Sequence, residues 1–287
     1  MATGNAAVLR GIEKHYHDFT LGPLSLTVPA GSIVGMIGEN GAGKTTALKI
    51  LTGVNPADAG EVSLLEGSPA DHATRAEVGV VFEDAYFYEG MTAKQIGKSM
   101  GMIFGQKWDA ALYSVYLKRF GLAEGKKMKE YSRGMRMKLS LATALAHTPR
   151  LLVLDEATSG LDPVVRGEML DLFLEYIQDE QHSILMSSHI TSDLEQIADS
   201  IAYLHEGKLL FHENKDDLLQ RYGLLRCAAA DLERLPADCI VHTQRSKFAC
   251  ETLVNNRAEA MRRLPGAVCD PANIDDIMRF TSGRDAK

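Results

Sequence analysis

Three glycines, a lysine and a threonine are closely spaced in the run Gly38-Glu39-Asn40-Gly41-Ala42-Gly43-Lys44-Thr45. Apolar residues 33–37 precede it and an apolar-periodic stretch follows, which is typical of a phosphate-binding loop between a buried strand and a helix. Glycines let backbone N–H groups turn toward a phosphate, Lys44 reaches the β- and γ-phosphates, and the Thr45 hydroxyl can hold Mg²⁺. The dipole of the following helix adds to the attraction. The predicted nucleotide-binding residues are Gly38, Glu39, Asn40, Gly41, Ala42, Gly43, Lys44, Thr45 and Thr46.

Two adjacent carboxylates, Asp155 and Glu156, follow the apolar residues 151–154, which are typical of a fully buried strand. Asp155 can orient Mg²⁺, and Glu156 can act as the general base that polarises an attacking water. Together with the loop that carries Lys44, this pair predicts hydrolysis of a nucleotide phosphate.

The run Tyr131-Ser132-Arg133-Gly134-Met135 lies shortly before this second strand. It resembles the signature of the ATP-binding cassette (ABC) family, which has the form Leu-Ser-Gly-Gly-Gln at this distance before the same strand. Ser132 and Gly134 match, and the other three positions depart. The resemblance implies that ATP binds between the phosphate-binding loop of one copy and Ser132 and Gly134 of another.

Further segments follow the order of the same family. Asp162, in the run 159–163, looks like part of the D-loop, and His189, at the end of the apolar strand 184–186, is similar to the switch histidine that contacts the γ-phosphate. The resemblance therefore adds His189 to Glu156 and Lys44 as the catalytic set. Tyr16 stands where the family has the aromatic residue that stacks on adenine, although an ordinary surface tyrosine is an equal alternative.

Glu83 ends the strand 78–82, where the family usually has the glutamine of its Q-loop. A carboxylate binds Mg²⁺ more strongly than an amide does, but it also places negative charge near the γ-phosphate and the attacking water. The predicted metal ligands are Thr45, Glu83 and Asp155, and the predicted cofactors are ATP and Mg²⁺.

The composition is that of an ordinary globular protein, with 45% hydrophobic and 24% charged residues among 287. The formal net charge of −7 argues against nucleic acid as a partner. The N-terminus lacks the pattern of a signal peptide, which predicts a cytoplasmic protein. The uncharged window 19–38 could raise the question of a membrane span, but Pro23, Pro29 and Gly31 interrupt it, and strand, turn and strand are predicted instead.

The four cysteines, Cys227, Cys239, Cys250 and Cys269, lack a Cys-x-x-Cys pair. They are therefore predicted to be core residues rather than zinc ligands or disulfides.

The predicted fold class is α/β: a P-loop nucleotide hydrolase of the ABC type, with a mainly parallel sheet, a β-subdomain and a helical subdomain. Residues 1–223 are assigned to the nucleotide-binding domain, with the helical subdomain at about 90–147. Residues 224–287 are predicted to form a small C-terminal α+β domain, with strands at 239–242 and 248–253 and helices at 257–263 and 274–280. Packing, dimerisation and regulation remain open as its role.

The run 155–166 resembles the ABC-2-type branch, whose members power export of drugs, antimicrobial peptides or similar amphiphiles. The implied machine has two ATPase subunits, as a homodimer or heterodimer, on an integral membrane permease. The chain would then be cytoplasmic and peripheral on the inner face of the cell membrane. Two alternatives are a soluble ABC ATPase that acts on ribosomes or DNA and a regulatory subunit with little turnover. The second is suggested by Glu83, Arg133 and Met135.

Overall fold

The structure, a computed structural model, describes residues 4–83, 87–245 and 250–282. Its strands are β1 (Asn5–His15), β2 (Thr20–Pro29), β3 (Ile33–Ile37), β4 (Ala59–Leu64), β5 (Val78–Val81), β6 (Leu151–Asp155), β7 (Ser183–Ser188), β8 (Ser200–His205), β9 (Lys208–Asn214), β10 (Gly223–Cys227), β11 (Ile240–Arg245), β12 (Cys250–Val254) and β13 (Val268–Pro271). Its α-helices are α1 (Lys44–Leu51), α2 (His72–Ala76), α3 (Ala93–Phe104), α4 (Ala110–Arg119), α5 (Arg133–Leu145), α6 (Pro163–Tyr176), α7 (Thr191–Ile197), α8 (Lys215–Arg221), α9 (Arg257–Arg263) and α10 (Ile274–Thr281).

A six-stranded sheet with the order β5-β6-β7-β3-β8-β9 forms the centre of the molecule. Its strands run parallel, except for β9, which pairs antiparallel with β8. Every residue of β3, β6 and β7 is buried, as expected for parallel strands with elements packed on both faces. The predicted mainly parallel core is thus confirmed.

The register of these strands sets the place of the predicted site. Ile37 of β3 pairs with Ser188 of β7, and Asp155 of β6 pairs with Ser187 of β7. The carboxyl ends of three neighbouring strands therefore lie at one edge of the sheet, which is where open parallel sheets bind ligands.

The two predicted subdomains flank this sheet. An antiparallel sheet with the order β2-β1-β4 forms the β-subdomain, and α3, α4 and α5 form the helical part. Helix α3 begins at a capping box in which Thr92 and Gln95 satisfy each other's backbone N–H groups. The predicted strand, turn and strand of the window 19–38 are β2 and β3. Within the described residues no helix combines the length and apolarity that a membrane span requires.

The C-terminal segment forms an antiparallel sheet with the order β11-β12-β10-β13, accompanied by α9 and α10. The two predicted helices occur, and α9 has the predicted bounds. Strand β11 begins one residue later than predicted and extends to Arg245. Strand β12 is described from Cys250, and the predicted start of this strand at 248 lies outside the described residues. The prediction omitted β10 and β13, because β10 begins at the supposed domain boundary and β13 is a short strand at the edge of this sheet.

All four cysteines are free and buried, as predicted. Helix α10 contacts the nucleotide-binding part of the chain: the Ile274 N–H donates to Glu195 Oε1 on α7 at 2.7 Å, and Ile274 packs in the main core. The assignment of 224–287 as a separate domain stays a prediction.

A buried histidine connects the helical subdomain to the sheet. The His147 ring is 1% exposed and lies 4.1 Å, centroid to centroid, from the Phe104 ring. Its two nitrogens face the carbonyl oxygens of Ala144 and Val78 at 3.3 and 3.4 Å. Burial lowers the pKa of His147 to about 4, with a smaller opposing influence of Glu77.

The buried His147 should make stability depend on pH. Because its pKa is lower in the folded protein than in the unfolded chain, the unfolded chain binds more protons below about pH 6.5. The free energy of unfolding should therefore fall as the pH drops from 6.5 toward 4, by on the order of 2 to 3 kcal/mol in total. Urea unfolding at a series of pH values measures this.

The variant His147→Asn should be less stable at pH 7, because the ring packing is lost, and its stability should vary less over the same pH range. His17→Asn, which removes an exposed imidazole, is the matched control. An unchanged slope in His147→Asn would contradict the assignment.

Candidate functional site

At two positions the loop between β3 and α1 leaves no room for a Cβ atom. Gly43, just before α1, has a φ of 106°, and a Cβ there would lie 2.9 Å from the side chains of Leu21 and Phe19. At Gly38, a Cβ would lie 2.4 Å from the carbonyl oxygen of Leu204. The glycines therefore let the loop pack closely against its neighbours and turn into the helix.

Lys44 is nearly buried at the start of α1, and its ammonium group points back into the loop. Its Nζ donates to the carbonyl oxygens of Gly38 at 2.7 Å and Glu39 at 3.3 Å. It also lies 3.2 Å from Oε1 of Glu156, so the two charges compensate each other in a buried environment. The predicted catalytic residues Lys44 and Glu156 are thus in direct contact.

Asp155 joins the loop to the neighbouring strand through two hydrogen bonds. The Thr45 hydroxyl donates to its Oδ2 at 2.8 Å, and the Ser187 hydroxyl donates to its Oδ1 at 2.6 Å. A hydroxyl and a carboxylate oxygen side by side are hard-oxygen ligands that suit Mg²⁺, which usually takes one or two protein ligands and completes its shell with water and phosphate oxygens. The donor set fits the predicted metal.

Glu156 and His189 form a hydrogen-bonded pair beside Asp155. Oε2 of Glu156 accepts from Nδ1 of His189 at 2.6 Å and from the His189 backbone N–H at 3.3 Å. Glu156 is buried and has a φ of 52°, an uncommon conformation outside glycine that concentrates at functional sites. Among the described residues its Oε1 accepts no hydrogen bond. This buried oxygen instead faces the Lys44 ammonium at 3.2 Å, so Lys44 and His189 hold the two oxygens of the carboxylate.

Lys44, Thr45 and Glu156 open into a cleft of about 450 Å³, a volume in the range of small-molecule sites, whereas His189 lines a neighbouring cleft with Gly38 and Glu39. The cleft is lined by two aromatic residues, most of the phosphate-binding loop and two glutamates: Tyr16, Phe19, Glu39, Asn40, Gly41, Gly43, Lys44, Thr45, Thr46, Glu83 and Glu156. The Tyr16 ring is 45% exposed and lies 6.4 Å from the Phe19 ring. Glu83 lines the cleft, and its carboxylate accepts a hydrogen bond from Arg133 at 2.9 Å. Its role as a metal ligand stays a prediction.

Five of the predicted nucleotide-binding residues do not line this cleft: Gly38 and Ala42 in the loop itself, and Ser132, Gly134 and Asp162 in other segments. The Ser132 hydroxyl caps α5 by accepting from the Met135 N–H at 3.3 Å. The Asp162 carboxylate caps α6 by accepting from the Val164 and Val165 N–H groups. The Ser132 and Asp162 side chains thus cap helices of their own chain, and the contact of Ser132, Gly134 and Asp162 with a nucleotide stays a prediction.

Sequence reasoning missed the roles of Ser187, Arg166 and Asp193. Ser187 holds Asp155, and Arg166 on α6 donates through Nε to buried Asp193 on α7 at 2.5 Å. The pair joins the helix after Asp162 to the helix after His189. A hydroxyl at the end of a strand beside Asp155 was an available signal for Ser187. No sequence spacing indicates the second pair, because it joins residues that only the fold brings together.

Known proteins with related sequences are ATP-binding subunits of transporters. A family model for ABC transporters matches residues 21–159. An uncharacterized ABC transporter ATP-binding protein of Synechocystis sp. is 39% identical over 197 residues, which are 67% of this chain and 55% of that protein. The lantibiotic transport ATP-binding protein SrtF of Streptococcus pyogenes is 31% identical over 209 residues, 72% of this chain and 90% of that protein.

One relative extends through the C-terminal segment as well. The Nod factor export ATP-binding protein I of Burkholderia lata is 33% identical over 302 aligned positions, covering 96% of each chain. Among solved structures, an ATP-binding subunit of an ABC transporter superposes with a TM-score of 0.68 at 26% identity, covering 74% of this chain and 91% of that one.

The cleft makes the role of Tyr16 testable. Tyr16→Ala should weaken ATP binding by about 1–3 kcal/mol if the ring stacks on adenine, while binding of inorganic tripolyphosphate should not change. Nucleotide titration measures both affinities. Tyr88→Ala removes an exposed tyrosine that does not line the cleft and is the control. Unchanged ATP affinity in Tyr16→Ala would make Tyr16 a surface residue and Phe19 the next candidate.

Proposed function

The chain belongs to the ATP-binding cassette (ABC) transporter family, and we propose that it binds and hydrolyses ATP to power a membrane exporter. The observation that carries this proposal is the convergence of Lys44, Thr45, Asp155, Glu156 and His189 at one edge of the parallel sheet. The relatives named for lantibiotic transport and Nod factor export favour an amphiphilic cargo, which the permease would select.

Each of these residues has a separate proposed role in ATP hydrolysis. The loop N–H groups and Lys44 hold the β- and γ-phosphates. Thr45 and Asp155 would hold Mg²⁺, which would supply positive charge to neutralise the phosphates. Glu156 takes a proton from the attacking water, while Lys44 faces its Oε1 and His189 orients it from Oε2.

Two ATPase subunits are needed for a complete site. Ser132 and Gly134 do not line the cleft of their own chain, which supports a role for them at a nucleotide of another subunit. We assign that subunit to a second copy of this chain, and a related chain would make a heterodimer instead. Binding of ATP would close the pair and hydrolysis would open it.

A hydrophobic surface supports the permease as the membrane partner. A groove of about 330 Å³ between the sheet and the helical part is lined by apolar side chains that include Val80, Met100 and Phe104. Next to it on α3, Met102 and Ile103 are 74% and 70% exposed. Neighbouring exposed apolar side chains of this kind mark interaction sites. Docking there would place the protein peripherally on the inner face of the cell membrane.

Glu156→Gln tests the hydrolysis step. The amide cannot accept a proton, so steady-state hydrolysis should fall by about 10²–10⁴-fold, while the phosphate-binding loop and ATP affinity are kept. Phosphate release measures the rate, and light scattering should show a dimer that accumulates with ATP. Glu168→Gln, at an exposed carboxylate on α6, is the control. Full turnover in Glu156→Gln would remove Glu156 as the base.

Ile103→Glu tests the permease surface. A charge in the middle of an apolar contact carries a desolvation cost, so co-purification with the permease and transport should be lost. ATP binding and basal hydrolysis should remain, because Ile103 does not line the nucleotide cleft. Val268→Glu, at a 56% exposed valine of the C-terminal sheet, is the control. Normal permease association in Ile103→Glu would place the contact elsewhere.

A further inference from the structure

Two positions at which the chain departs from its family contact each other. Nη2 of Arg133 donates to Oε1 of Glu83 at 2.9 Å, and the two side chains are about half exposed. Glu83 follows β5 and lines the nucleotide cleft, whereas Arg133 is the first residue of α5 and follows Ser132. The carboxylate that replaces an amide in the cleft is therefore compensated by a guanidinium from the signature segment.

Arg133 also lies against a third loop. Gly160, between Glu156 and Asp162, has a φ of 67°, and a Cβ there would lie 3.0 Å from Cζ and Nη1 of Arg133. A larger residue at 160 would push the guanidinium away. The Arg133 side chain thus lies against two loops. One carries Glu83 and lines the cleft of the same chain, and the other begins at Glu156 and contains Gly160.

The position of the pair separates it from an ordinary surface ion pair. Exposed pairs contribute little to folding stability. Here, however, an uncompensated Glu83 would place a negative charge in the cleft that has to accept a triphosphate. Arg133, the other member of the pair, belongs to the segment that holds Ser132 and Gly134, which do not line the cleft of their own chain.

We propose that Arg133 is a positioning residue that neutralises Glu83 and, by resting on Gly160, holds the Ser132–Gly134 segment in the place where it meets the nucleotide of the second copy. This inference rests on the proposed function. The Arg133 guanidinium then links two clefts. It neutralises Glu83 in the cleft of its own chain, and it positions the segment that completes the cleft of the second copy.

The charge effect has a sign that a merely structural contact would not produce. Arg133→Ala should weaken ATP binding by about threefold to tenfold, because Glu83 then repels the triphosphate. Glu83→Gln alone should leave the affinity unchanged or raise it. The double variant Glu83→Gln/Arg133→Ala should regain the wild-type affinity. These affinities are measured by titration in the full-length chain carrying Glu156→Gln, so that ATP is not consumed.

The variant Arg133→Lys separates the positioning effect from the charge effect. Lysine keeps the positive charge but lacks the planar fork that rests on Gly160. ATP affinity should therefore return to near wild type, whereas ATP-dependent dimer formation, followed by light scattering, should remain weakened. If Arg133→Lys restores both readouts, charge alone is sufficient and the positioning role is wrong.

The ion pair between Lys138 on α5 and Glu168 on α6, at 2.6 Å, supplies matched controls. Neither residue lines the cleft, so Lys138→Ala and Glu168→Gln should leave ATP affinity and dimer formation as in the wild type. Thermal unfolding of each variant verifies that it is folded.

The outcomes that would contradict this inference differ from the outcome that would contradict the proposed function. If the single and double variants show additive changes in ATP affinity, the pair is not coupled to the nucleotide and the inference fails. If Glu83→Gln instead raises the Mg²⁺ concentration needed for half-maximal hydrolysis in otherwise wild-type protein, without coupling to Arg133, Glu83 serves the metal and the inference fails. A wild-type chain that neither binds nor hydrolyses ATP would overturn the proposed function itself.

Discussion

The two hydrogen bonds that Asp155 accepts hold the site together. One comes from Thr45, which follows β3, and the other from Ser187 at the end of β7, so a buried carboxylate on β6 connects three neighbouring strand ends. A buried charge needs such partners, since an unpaired carboxylate in an apolar interior is costly. The same oxygens are those that suit Mg²⁺. The hydrogen bonds that stabilise the buried Asp155 carboxylate and the proposed binding of Mg²⁺ therefore use the same oxygen atoms.

The catalytic geometry around this connection depends on backbone conformations that are locally unfavourable. Glu156 has a positive φ, and Gly43 and Gly38 sit where any Cβ would clash. The surrounding parallel sheet, whose strands β3, β6 and β7 are buried along their length, is rigid enough to impose these conformations. Rigidity in the sheet is what lets the loops at its edge carry the chemistry.

The outer parts of the molecule carry the features on which the proposed partners depend. The apolar groove beside α3, with Met102 and Ile103 exposed next to it, is a surface suited to a hydrophobic partner. Ser132 and Gly134 do not line the cleft that contains Lys44 and Thr45. Helix α10 also packs beside α7, so the C-terminal segment is in contact with the helix that follows His189.

Sequence alone was sufficient for the parts whose chemistry is local. The spacing of Gly38 to Thr45 predicts the loop, because consecutive residues supply its N–H groups, and the apolar run before Asp155 predicts the strand. The helix 163–176 was predictable as well, since Pro163 and the Asp162 cap act within one turn. The order of the motifs along the chain indicated the family, and the curated relatives confirm it.

Tertiary structure decided the contacts between residues that are far apart in sequence. The bonds of Ser187 to Asp155, Arg166 to Asp193 and Arg133 to Glu83 join separate loops, and no local spacing encodes them. In the sequence, Glu83 and Arg133 were two isolated departures, and their charges compensate only because the fold places β5 beside the start of α5. Strand β13 was missed for the same reason: its pairing with β10 comes from a distant segment, whereas its own residues carry little strand signal. Local propensity and motif spacing act within a few residues, but hydrogen bonds and ion pairs across loops depend on where the whole chain places their partners.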